Sequence, residues 1–165
     1  MEIKEILDWA FERHLNPISW YIRPIFLIAF CFFSYKRSWK GVIITILIMM
    51  SSMVWFPAPE KIDSQMQAVL EYEKQILSNP FSAIIAISTM IITMTLIGFA
   101  FWKRSLLFGI IVLNLALVGK LISSITLVGK EGWGPLYVII FGLLLVNGIG
   151  ILLYYFKKKK KQSNN

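Results

Sequence analysis

Residues 80–105 read PFSAIIAISTMIITMTLIGFAFWKRS, and the fold is decided there. From Pro80 to Trp102 there is no charged residue. At 1.5 Å of rise per residue a helix of that length reaches about 35 Å, enough to cross a hydrocarbon core of roughly 30 Å. A soluble strand or core helix does not need such a run, whereas a membrane helix satisfies its own backbone in lipid and does need it. The run then stops at Lys103-Arg104-Ser105, a basic turn after which a second apolar run begins at once.

Working outward, comparable runs occupy 17–35, 39–56, 105–128 and 135–156, so that with 80–102 the five measure 19, 18, 23, 24 and 22 residues in chain order. The whole chain of 165 residues is 57% hydrophobic, with a mean hydropathy of +0.67. Soluble domains sit near 45–50% apolar. The expectation is therefore a single all-α membrane domain over 1–165, a polytopic bundle of five transmembrane helices.

Charge gives the bundle a direction. If the carboxyl terminus is inside, the inner segments hold Lys36, Arg37, Lys40, Lys103, Arg104 and Lys157 through Lys161, ten cations with no carboxylate among them. The other side keeps seven cations and all nine acidic residues. Short loops rich in Lys and Arg resist translocation, so this separation predicts an outer amino terminus and a cytoplasmic tail at 157–165. Aromatic residues at span ends, Trp20, Tyr21, Trp39, Trp55, Trp102, Trp133, Tyr154 and Tyr155, fit interfacial anchoring. The short loops suggest a bacterial plasma membrane. Met1-Glu2-Ile3-Lys4-Glu5 lacks the basic start and small-residue cleavage site of a secretory signal, so the chain is read as mature protein.

Two further segments, 2–14 and 60–78, have helical periodicity but carry charged residues throughout, so they are amphipathic rather than spanning. In the first, Ile3, Ile6, Leu7, Ala10 and Phe11 share one face while Glu5, Asp8 and Glu12 lie opposite. In the second, Ile62, Met66, Val69, Leu70, Tyr72, Ile76 and Leu77 form a stripe with Glu73 in its middle. Both are expected to lie as amphipathic helices at the outer surface. The pattern also repeats: Leu7-Asp8-Trp9 with Asn16-Pro17-Ile18-Ser19 returns 63 positions later as Leu70-Glu71-Tyr72 with Asn79-Pro80-Phe81-Ser82, and 32–38 resembles 99–105. Either the chain holds a tandem two-span duplication or two outer-helix hairpins share one interface chemistry.

Charges inside spans are the natural places to look for function, because each is costly unless paired or hydrated. Arg23 lies about 9 Å below Pro17, and Lys120 about 12 Å below the outer end of its span. With Glu73, Glu60, Glu12 and His14 they could line an outward-facing polar site rimmed by Trp20, Trp55 and Trp133. The plainer alternative is snorkelling and structural pairing, Arg23 with an acidic residue of the outer helices and Lys120 with Glu73. His14 is either an interfacial residue or a titratable switch. Asn114 and Asn147 are expected to hydrogen-bond between helices. Lys157, Lys158, Lys159, Lys160 and Lys161, just beyond the last span, suit anionic lipid rather than nucleic acid.

No catalytic constellation is expected. The single histidine excludes HExxH and multi-histidine metal sites, and Cys31 alone gives neither disulfide nor CxxC pair. Lys120 with Ser123 and Ser124 shares a helix face, but serine in such a helix commonly bonds its own backbone. No cofactor is implied. The functional expectation is binding or transport of a small solute or lipid headgroup, with a homo-oligomer or a membrane partner allowed. The rival is an accessory protein whose outer helices dock a partner.

Overall fold

The computed structural model describes residues 3–128, 130 and 133–163, with the side chains of all of these except 3, 4, 128, 157, 158 and 160–163. Among the described residues the chain is helical and has no strand. In chain order the helices are α1 (Ile3–His14), α2 (Pro17–Tyr21), α3 (Arg23–Tyr35), α4 (Trp39–Ser51), α5 (Ser64–Ser78), α6 (Pro80–Trp102), α7 (Leu106–Val128) and α8 (Leu136–Ser163). A 3-10 turn, Ser52–Val54, extends α4.

Among the described residues four helical segments are long and apolar enough to cross a membrane: Pro17–Tyr35, Pro80–Trp102, Leu106–Leu127 and Leu136–Phe156. That is compatible with an integral membrane protein. The segment expected to span 39–56 forms a shorter apolar helix, Trp39–Val54, because the backbone leaves helical geometry before Pro57 and Pro59. Its reach is about 25 Å.

Local chemistry sets the boundaries. Asn16 and Asn79 cap the helices that begin at Pro17 and Pro80, each side-chain oxygen accepting from the amide two residues on at 3.0 Å. Proline suits the first helical position, where its missing N–H would have no partner. The second outer helix starts at Ser64 rather than at residue 60, since Asp63 Oδ1 accepts from Gln65 and Met66 N–H and leaves Ile62 outside and exposed. The first span is interrupted at Ile22, where Pro24 cannot donate to the carbonyl of Trp20. α8 outruns its expected end and carries helical backbone through the lysine run.

The basic turns share one construction. Arg37 and Arg104 have φ of 56° and 57°, the left-handed position that ends a helix and more often holds glycine. Ser38 and Ser105 then cap the returning helices, accepting from Gly41 and Phe108 N–H at 3.3 Å. In both hairpins a phenylalanine ring, Phe33 or Phe101, covers a glycine eight residues later, Gly41 or Gly109. A Cβ at Gly109 would lie 2.7 Å from the Phe101 ring.

The two turns also meet. Arg37 Nε donates to the Trp102 carbonyl at 3.0 Å, and the Trp39 and Trp102 rings are 4.7 Å apart. Packing at this end centres on Phe30, Cys31, Val42, Ile97, Phe101, Leu113 and Val146, drawn from α3, α4, α6, α7 and α8. At the opposite end Trp20, Met66 and Val69 form a smaller cluster against Val138. Elsewhere long apolar side chains such as Phe81, Leu107 and Leu144 stand exposed, which is compatible with a lipid-facing surface.

Candidate functional site

The smaller cluster carries the polar chemistry, and it grows from the end of α1. The terminal carbonyls of a helix lack partners, and the one on His14 is met by Trp20 Nε1 at 2.7 Å. Ser19 Oγ lies 3.1 Å from the same oxygen and donates to the Asn16 carbonyl at 2.7 Å. The chain thus reverses tightly from α1 into α2, burying His14, Ser19 and Trp20 together. The His14 and Trp20 rings stack 5.0 Å apart at 14°.

One turn farther along, Arg23 reaches back over Trp20, its guanidinium carbon 5.8 Å from the ring centroid. Arg23 Nη2 lies 2.9 Å from His14 Nδ1, and Nη1 3.5 Å from Nε2. A guanidinium can only donate, so Nδ1 must accept and the ring is neutral with its proton on Nε2. That nitrogen is 3.9 Å from Glu73 Oε2, supplied by half-buried Glu73 of α5. The His14 pKa is lowered from 6.5 to about 3, first by burial and then by the positive charges of Arg23 and Lys120. A contact counted by distance as an ion pair is therefore a neutral N–H facing a carboxylate at pH 7. A histidine poised to switch in the physiological range does not fit this environment.

The fold gathers His14, Arg23, Glu73 and Trp20 into one cluster and places Lys120 near enough to act on the imidazole, although Lys120 itself is exposed. Glu73 approaches His14, not Lys120, so the pairing expected between Lys120 and Glu73 is replaced. Trp55 packs edge-on against Phe26 at 5.6 Å, and Trp133, Glu12 and Glu60 are exposed. Lys74 of α5 lies 3.6 Å from Asp8 and over the Phe11 ring, which ties the outer helices together.

Sequence reasoning missed Ser19, whose small buried hydroxyl has no periodic signal. It also missed Arg13 and Asn16 as clamps on the loop after α4, where they donate to the carbonyls of Val54 and Pro57 at 2.9 Å each. Val69, in the apolar stripe of the second outer helix, is buried beside Trp20 and Met66. On α1, by contrast, Ile6, Leu7 and Trp9 are exposed.

Asn114 and Asn147 exchange side-chain hydrogen bonds of 3.1 and 2.8 Å between α7 and α8, and each also donates to a carbonyl of its own helix at 2.8 Å. Ser123 Oγ donates to the Lys120 carbonyl at 2.9 Å and is committed to its own helix. Among the described residues no group of three or more His, Cys, Asp and Glu side chains is placed to hold a metal ion. The side chains of Ile3, Lys157, Lys158, Lys160 and Lys161 lie outside the described set; Lys159 is exposed. No protein-family model, curated protein or solved structure matches the chain.

Proposed function

We propose that the chain is a five-span membrane protein of a bacterial plasma membrane, with α1 and α5 outside and the lysine tail in the cytoplasm, that binds or passes a small anionic solute or lipid headgroup beside Arg23. The observation that carries the ligand class is the charge around His14. Two cations, Arg23 and Lys120, act on a neutral ring, and among the described residues the carboxylate in contact with that ring is Glu73. The surplus is positive, and beside a part-buried guanidinium that surplus favours an anion.

Support for five crossings comes from the ends of the short helix. Trp39 packs at a tilt against Trp102 among the basic turns, while Val54 is held by Arg13 beside α1. Its two ends therefore reach the same two layers as the ends of the first span. About 25 Å of helix can bridge them if the bilayer thins by a few Å. The shared caps and turns suit a tandem duplication of the outer helix with its two spans, α8 standing outside it.

The test is thermal unfolding of the purified protein with inorganic phosphate or glycerophosphate, across Arg23→Gln and Lys120→Gln variants. Wild type should be stabilised by the anions, Arg23→Gln should lose the shift, and Lys120→Gln should weaken it. An unchanged shift in both variants rejects the site. The docking alternative has one observation of its own, the uncovered Ile6, Leu7 and Trp9 on α1. In that reading Ile6→Asn with Leu7→Asn abolishes recovery of a partner while the anion response stays.

A further inference from the structure

A second site lies at the other end of the bundle. Between α7 and α8 there is a cavity of about 580 Å³ lined by Leu106, Leu107, Ile110, Asn147, Gly150, Ile151, Tyr154 and Tyr155. Its size falls within the roughly 300–1,000 Å³ of small-ligand sites. Its chemistry narrows the occupant. Asn147 is the one amide in the lining, and its nitrogen and oxygen are already engaged by Asn114 and the Leu143 carbonyl. Gly150 presents no side chain, and Ile110 closes over it. What occupies the groove is therefore met almost wholly by carbon.

The rim is different. Leu106 follows Lys103-Arg104-Ser105 directly, and both cations are exposed. Tyr154 and Tyr155 are exposed, and Lys159 stands on the same helix about 6 Å beyond Tyr155. The Arg37 bond to Trp102 draws Lys36, Arg37 and Lys40 of the other turn alongside. In the sequence none of the nine carboxylates belongs to these segments; the described ones lie on α1, α5 and the loop between α4 and α5, at the far end.

We infer that this groove holds one acyl chain of an anionic phospholipid whose phosphate rests on Lys103 and Arg104. An apolar slot that opens under unopposed cations complements a molecule with a hydrocarbon body and a negative head, and a zwitterionic lipid offers no net charge to match. The inference shares with the proposed function only the membrane surroundings; it does not use Arg23 or His14.

The experiment is binding of phosphatidylglycerol and phosphatidylcholine with the same acyl chains to the full chain in detergent, by native mass spectrometry and thermal shift. Repeating each measurement at about 0.15 M salt on chains with glutamine at 157–161 removes diffuse attraction to the lysine tail while leaving the two rim cations in place. Wild type should retain phosphatidylglycerol more tightly, by about fivefold per cation engaged. Lys103→Gln with Arg104→Gln should reduce that preference to the phosphatidylcholine level. Leu107→Trp and Ile151→Trp, both at exposed lining positions, should displace the chain and lower binding of the lipid while the fold stays intact. Equal binding of the two lipids by wild type, or undiminished phosphatidylglycerol binding by both tryptophan variants, overturns the site. Arg23→Gln keeps the lipid preference in this account, so a failure of the outer anion site is read separately.

Discussion

Placed side by side, α1 to α4 and α5 to α7 use the same parts and end up with different contents. Each has an amphipathic outer helix, an Asn-Pro start, an arginine in left-handed geometry and a phenylalanine over a glycine. Yet the positions of His14, Trp20 and Arg23 correspond, 63 residues on, to Leu77, Ala83 and Ala86. The second first-span helix, α6, runs unbroken for 23 residues with much of its outer half exposed. The first is broken at Ile22 and wraps a polar cluster. The shared residues build the scaffold, and the chemistry sits where the two units depart from each other.

That comparison can be broken most severely at Trp20. Trp20→Ala gives the first unit the residue of the second and removes a buried ring, its bond to the His14 carbonyl and its packing on Met66 and Val69. The expected cost is about 3–5 kcal/mol, read by thermal or denaturant unfolding in detergent. Ala83→Gly, at the matching position of α6, should cost no more than about 1 kcal/mol.

Acidification sharpens the same contrast. A folded-state pKa of about 3 against an ordinary 6.5 means the unfolded chain takes up the His14 proton first. The stability that neutral His14 contributes is complete above pH 6.5 and is lost as pH falls from there through about 3. Melting curves of wild type and His14→Gln between pH 7 and 4 should converge or cross as pH drops, the variant having the flatter profile. Parallel profiles would mean the ring is not held neutral in the folded chain.

The two hairpins should respond alike to Gly41→Ala and Gly109→Ala. Each added methyl meets a phenylalanine ring, and overpacking of this kind costs about 1–3 kcal/mol. Unequal losses would show that the turns are not built alike. Smallest of all is Arg104→Gly, which relieves a left-handed residue and should raise stability by about 1 kcal/mol, measured by the same unfolding assay.

Long uncharged runs and paired Asn-Pro and Lys-Arg-Ser segments are legible without coordinates, because each encodes a local rule of helix length, capping or charge. His14, Arg23 and Glu73 stand out for a similar reason, a titratable group against an apolar background. The break at Ile22, the shortness of Trp39–Val54, Ser19 and Trp20 closing the end of α1, and the ring-on-glycine contacts are not legible in that way. They depend on which groups are brought together across turns: Phe101 and Gly109 lie on different helices, so no single helical period relates them.

Everything about the outer site depends on whether 39–54 crosses. A fifth crossing puts α1 and the lysine tail on opposite faces, and without it they share one. In a Cys31→Ser background, Glu12→Cys and Lys159→Cys place a thiol at an exposed position at each end. A membrane-impermeant maleimide added to intact cells should label position 12 and leave 159 unlabelled until the membrane is permeabilised. Labelling of both positions, or of neither, before permeabilisation contradicts the account.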